Sequence, residues 1–258
     1  MNRQLNFNIW LNIKFLSRNY LIITVLGIMA LSILNIFSSA NAGGGALQGF
    51  IWLHSIVTIA AFLIAVMIVS NPIKDRTVKM IVTKPCSPEV WTASSYATVN
   101  LVSISLHLII LIFASLLFAF KPDVLGISFS SYIYMWLSSI VAVMIFSSLL
   151  LFLTYILPTG LALLAMIIIS TLPLGRIVDY CFNYSGHVIT NILYKILGTI
   201  FYVFYLIIPY FSMENIMKVG QGGYTDWSQL GVFFVYGLVT LGFYYLMSVY
   251  AIKRRNLI

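Results

Sequence analysis

Charge is what this chain has least of. Asp, Glu, Lys and Arg make up 8% of its 258 residues, and only six residues are acidic. None of the six falls inside a long apolar run, so the intramembrane carboxylates that proton relays and many ion-coupled carriers need are missing. No GxxxxGK[ST] loop occurs, which excludes P-loop ATP hydrolysis by this chain. The two cysteines, Cys86 and Cys181, form no CxxC and no Cys/His ligand spacing, so neither a disulfide framework nor a zinc site is indicated. Paired carboxylates and nucleophile constellations are absent too. The chain reads as a non-enzyme with no cofactor and no metal of its own.

Apolar residues are what remains. At 61% hydrophobic, the sequence is that of an integral membrane protein. Its Leu, Ile, Phe and Met tracts show little alternation, which favours helices over a β-barrel. The spacing predicts an all-α protein of one transmembrane domain with six spans, at about 20–37, 50–70, 95–120, 132–157, 161–174 and 230–252. Leu5, Ile9, Ile13 and Leu16 follow helical spacing ahead of the first span, which predicts an N-terminal helix lying in the membrane interface. No small-residue cleavage pattern follows the first span, so it is read as retained. The apolar stretch at 192–211 is interrupted by Lys195 and Pro209. Residues 186–211 are read as outward helices that dip into the membrane without crossing.

The formal charge is +8, and its placement carries more than its size. Ten of the 14 Lys and Arg occupy three places: Arg3, Lys14 and Arg18 near the start, Lys74, Arg76, Lys79 and Lys84 in the loop after the second span, and Lys253 to Arg255 at the end. The remaining Lys121, Arg176, Lys195 and Lys218 are balanced by Asp123, Asp179, Glu214 and Asp226. The positive-inside rule puts both termini and the loop after span two in the cytoplasm, which requires an even number of crossings. Topology and anionic lipid account for the basic charge, so no nucleic-acid partner is implied.

That loop, 71–92, is the longest polar interruption on the basic side. It reads as a short amphipathic helix over 74–83, a break at Pro85, and a new helix start with Ser87 as cap, Pro88 in the first turn and Glu89 near the positive helix end. A helix held between two spans is placed to take a push from a soluble partner; the plainer reading is a solvated connector. His107 falls mid-way along the third span and is read either as a pathway or soft-metal residue or as an imidazole satisfied by a neighbouring helix. His54 is placed towards the outer end of the second span. Tyr202, Tyr205, Tyr210 and Phe211 cluster near the outer face, as a ligand platform or an aromatic belt. The five tryptophans are placed near span ends.

Several of these stretches resemble one family, the permease subunits of type-2 ATP-binding-cassette exporters. Ile73-Lys74-Asp75-Arg76-Thr77 with Ile81 to Ser87 is similar to that family's cytoplasmic coupling helix. Ile156 to Gly160 is similar to its break between spans four and five. Ile207-Ile208-Pro209-Tyr210-Phe211 with Glu214-Asn215 resembles its outer segment, and Lys253 to Leu257 its basic ending. The sequence departs from the pattern at Glu89-Val90, where an Arg is common, and at Lys79, where an apolar residue is usual. The resemblance implies a multi-pass permease of the cytoplasmic membrane, paired with a second permease subunit (identical or related) and driven by a separate ATPase subunit that holds ATP and Mg. It implies ATPase coupling through Lys74, Asp75, Arg76, Thr77, Lys79, Met80, Lys84 and Pro85, and a pathway or gate at His107, Tyr205, Pro209 and Tyr210. The competing readings are a membrane anchor or assembly subunit without transport of its own, and a secondary transporter or channel, which the scarcity of intramembrane charge disfavours.

Overall fold

The computed structural model describes residues 2–17, 20–41, 46–74, 87–121, 123, 125–171, 174–207 and 225–254. All regular structure among them is helical: α1 (Asn2–Ser17), α2 (Tyr20–Asn41), α3 (Ala46–Lys74), α4 (Pro88–Phe120), α5 (Phe129–Ile156), α6 (Thr159–Thr171), α7 (Leu174–Asn183), α8 (Val188–Ile207) and α9 (Trp227–Arg254). By length and composition α3, α4, α5 and α9 can each cross a membrane. A fifth crossing is added if α1 and α2, whose axes meet at 65°, count as one bent element.

The helix starts follow local chemistry. Ser87 is in extended conformation and its hydroxyl accepts from the Val90 amide, with Pro88 behind it and Glu89 in the first turn, as the sequence predicts. Ser128 caps α5 by accepting from the Ser131 amide at 3.1 Å. Asp226 caps α9, its Oδ1 accepting from the amides of Ser228 and Gln229. These bonds hold its carboxyl below the usual range, the Ser228 hydroxyl contributing most. Leu157 is extended ahead of Pro158, so α5 ends there for the steric reason that a residue before proline leaves the helical region. Gly126 takes φ 64° in the turn between α4 and α5, a left-handed position that suits glycine.

The described residues fall into two compact units, 1–159 with 213–258 and 160–212. In the first, α3, α4, α5 and α9 form a bundle joined by α1 and α2. Tyr96 lies against Ser148 and Phe118 against Phe129, so α4 and α5 are antiparallel. Tyr134 meets Trp227 and Phe152 meets Tyr244, so α5 and α9 are parallel. The chain therefore leaves α5 at one end of this unit and enters α9 at the other. In the second unit α7 packs on α8, with Tyr184 stacked on Tyr194 at 4.0 Å and Gly198 facing Cys181.

The bundle interior is mainly apolar but carries a set of buried hydroxyls and imidazoles, and its outer face is apolar. On α4 the buried residues include Thr92, Ser94, Ser95, Thr98, Ser103 and His107, while Leu101, Leu108, Ile112, Leu116 and Phe120 are exposed. Most of the buried hydroxyls donate to a carbonyl of their own helix, as Thr98 does to Ser94 and Ser103 to Val99, both at 2.7 Å. That bond lets a hydroxyl sit in an apolar setting without a cross-helix partner. One node joins three helices: the Tyr96 hydroxyl meets the Ser148 carbonyl oxygen at 3.1 Å and Ser248 Oγ at 2.9 Å.

Helix α4 begins at Pro88, where the sequence predicts a helix start, and its 33 residues make it about 50 Å long, so the helix is longer than the span predicted over 95–120 and than a roughly 30 Å apolar layer. Two sequence expectations change. On α1 the predicted stripe includes Ile13, which is exposed, while Asn8 is buried and the Asn12 side chain donates to Thr98 Oγ1 at 3.3 Å. The protein-facing side of α1 is partly polar because α4 offers it a hydroxyl; Phe7, Trp10, Ile13 and Phe15 face outward. Trp91 is buried and Trp136 donates to the His107 carbonyl at 2.8 Å, so these two tryptophans serve the interior.

Candidate functional site

Two places in the first unit gather the chemistry. One is the end of the bundle where α3 stops and α4 starts. Lys74 closes α3, and Asp75, Arg76, Thr77, Lys79, Met80, Lys84 and Pro85 lie outside the described residues. Their two anchors are fixed. At the α4 anchor, Glu89 forms an ion pair with Lys253 near the end of α9 and its carbonyl accepts from the Tyr245 hydroxyl at 3.3 Å. Helix α1 packs on the same stretch of α4 through Asn12 and Thr98. Lys14 of α1 lies 4.6 Å over the Trp10 ring, an exposed cation on an exposed aromatic. Three segments that the sequence marks as basic therefore converge on one end: α1, the flanks of the loop, and the end of α9. Lys121, Asp123 and Asp226 belong to the opposite end.

Glu89 departs from the resembled family's pattern, and the structure shows what it touches. The Lys253 ammonium first, then the backbone amide and Ser87, hold its carboxyl at about 2 against an ordinary 4.5. A lowered folded-state value means that the pair contributes above the ordinary value and is lost as pH falls through the lowered one. The tie between α4 and α9 is thus complete above pH 4.5 and gone near pH 2. Because both groups are exposed to solvent, salt screens the pair. Glu89→Gln is expected to abolish this part of the acid sensitivity and to lower the thermal midpoint at neutral pH by the same small amount, since the variant lacks the pair at every pH. Thermal scans of both proteins across that interval, at low salt, make the comparison; equal acid loss in the variant refutes the assignment.

The second place is the bundle interior. His107, singled out from the sequence, is buried on α4. His54 is buried on α3, in the first part of that helix. The two rings are stacked, with centres 5.3 Å apart and planes at 29°. Tyr132 of α5 is buried beside them, its ring centre 6.4 Å from that of His54. His107 Nδ1 bonds the Ser103 carbonyl at 2.8 Å. His107 Nε2, both ring nitrogens of His54 and the Tyr132 hydroxyl have no hydrogen-bond partner. The neighbouring helix thus brings His107 a second imidazole rather than the hydrogen bond that a satisfied core histidine would have.

The sequence matches no protein-family model and no curated protein.

The other residues expected at a pathway or gate are less placed. Tyr205 lies on α8 with its side chain outside the described residues, and Pro209 and Tyr210 lie outside them altogether. Cys181 is a buried free thiol among the described residues. No group of three His, Cys, Asp or Glu there is arranged to hold a metal ion. The pairing of His54 with His107 had one available signal. Both stand at nearly the same distance from the loop that joins α3 to α4, one before it and one after, and antiparallel helices put such positions at one depth.

Proposed function

We propose that this chain is the membrane-spanning permease subunit of a type-2 ATP-binding-cassette exporter, moving substrate across the cytoplasmic membrane with ATP hydrolysed by a separate subunit. One observation carries the reading: α1, the anchors of the loop at 75–86 and the end of α9 meet at a single basic end of the bundle. A soluble motor docking there reaches all of them at once, and through α3 and α4 reaches the interior.

The direction of the helices supports six crossings. Since α5 and α9 are parallel, the chain between them makes an odd net number of crossings. A single net crossing between α5 and α9 meets that requirement; two full crossings do not. The positive-inside rule then puts the basic end in the cytoplasm, with α1 in the interface and its aromatic face towards lipid. The residues at 74–85 transmit the motor's closure, and a second permease subunit completes the pathway. The required physical element is an assembly with two states that nucleotide binding biases.

The test is capture of the tagged chain from its native membrane in mild detergent, with identification of what accompanies it. A P-loop ATPase in equal amount is expected, and Asp75→Ala with Arg76→Ala is expected to lower its recovery about tenfold, equivalent to roughly 1.4 kcal/mol. Recovery unchanged in the double variant refutes the docking assignment. Absence of any ATPase, even after cross-linking through a cysteine at Lys79, replaces the exporter reading with that of an assembly subunit.

A further inference from the structure

We infer that one face of α1, carrying Arg3, Phe7, Trp10 and Lys14, is a docking surface for anionic phospholipid at the membrane surface, and that lipid held there steadies the start of α4.

The pattern comes first. Positions 3, 7, 10 and 14 follow the spacing that lines residues up along one side of a helix. All four are exposed, whereas Asn8 and Leu16 on the opposite side are buried and Asn12 bonds Thr98. The stripe therefore points away from the bundle. Phe7 and Trp10 meet with ring centres 6.2 Å apart. Arg3 stands one turn before this pair, and Lys14 reaches back over the Trp10 ring at 4.6 Å. Among the described residues neither cation meets a carboxylate.

The chemistry of the occupant follows. Two aromatic rings with a cation at each end suit a layer that is apolar on one side and anionic on the other. The rings settle at headgroup level, and the long basic side chains extend to the phosphates. Zwitterionic lipid satisfies the rings; the two cations add a preference for net negative charge, each worth about fivefold in binding. A second copy of this chain fits poorly. An isologous contact through the stripe sets Arg3 and Lys14 against the same cations of the other copy, and α1 has no acidic residue to compensate.

The opposite side of α1 carries the consequence. Asn12 donates to Thr98 Oγ1 of α4 at 3.3 Å, so a lipid-held α1 restrains the stretch of α4 that begins at Pro88. Lipid charge is thereby linked to one anchor of the loop at 75–86. This link needs the chain to lie in a membrane and does not rest on the exporter reading.

The experiment measures amide hydrogen exchange of the purified full chain in nanodiscs of phosphatidylcholine, and in nanodiscs with half of that lipid replaced by phosphatidylglycerol. Exchange across α1 is expected to be at least about tenfold slower in the anionic discs, and raised salt is expected to remove the difference. Arg3→Gln with Lys14→Gln alters exposed groups only, and the two kinds of disc are expected to give this variant the same exchange. In wild type the first turns of α4 are expected to slow as well. Asn12→Ala is expected to lose that second response and to keep the response of α1. Soluble glycerol phosphate added to the phosphatidylcholine discs is expected to change nothing, since two exposed cations hold a free anion only weakly. Equal exchange of wild type in the two discs, a lipid response that survives loss of both cations, or a response reproduced by the soluble phosphate overturns the lipid site. An α4 whose exchange ignores lipid charge, or still follows it in Asn12→Ala, overturns the link to α4. None of these readouts requires transport or an ATPase.

Discussion

Replacing Gly237 by leucine is expected to destabilise the bundle by about 2 kcal/mol, because the site has no room for a side chain and its neighbour is stiff. A Cβ on Gly237 meets Val141 Cγ1 at 2.8 Å and Ile145 Cδ1 at 3.5 Å. Val141 is β-branched and buried, so its χ1 cannot swing away without striking the rest of α5. In a membrane the apolar effect does not push helices together, and close backbone approach at small residues takes over that role. Gly237 is where α9 comes close to α5, whereas Gly231 and Gly242 of the same helix have nothing within 4 Å of an added Cβ. Gly242→Leu is therefore the control, expected within about 0.5 kcal/mol of wild type. Reversible unfolding in mixed micelles measures both. If the two substitutions cost the same, the α5–α9 contact is not where α9 is held.

The second large effect is all-or-none. In a background with Cys86 and Cys181 replaced by Ser, single cysteines at Lys121 and Gln229 are expected to react with a membrane-impermeant maleimide from outside intact cells. A cysteine at Arg254 is expected to react only after permeabilisation. The parallel run of α5 and α9, read from Tyr134 on Trp227 and Phe152 on Tyr244, sets Gln229 and Arg254 at opposite ends. The antiparallel run of α4 and α5 puts Lys121 with Gln229. The basic charge at the other end decides which face is inside. If the cysteines at Gln229 and Arg254 label from the same face, the chain between α5 and α9 crosses an even number of times and the six-span arrangement fails. If all labels reverse together, the helix directions stand and the orientation fails.

The helical class, four of the six predicted spans and the start of α4 were legible in the sequence, since these depend on local chemistry; the predicted span at 161–174 corresponds to α6, which at 13 residues is shorter than the helices that can cross. Ser87, Pro88 and Glu89 begin α4 because a hydroxyl, a missing amide hydrogen and a carboxylate suit a helix start in any surroundings. Lys and Arg counts along the chain also marked the segments that share one end. Which side of each helix turns inward was decided only in three dimensions. In a soluble protein the apolar stripe gives that away, but lipid is as apolar as a core, and the helices here are apolar nearly all round. Asn12 therefore displaced Ile13 from the buried face of α1 once Thr98 was opposite it. Glu89, out of line with the resembled pattern, found Lys253 at the far end of the chain. His54 and His107, each unremarkable in its own span, became neighbours because α3 and α4 run antiparallel, which brings positions nearly equidistant from the joining loop to one depth. That the two rings face each other rather than lipid was decided by packing, in a region with no carboxylate to advertise them.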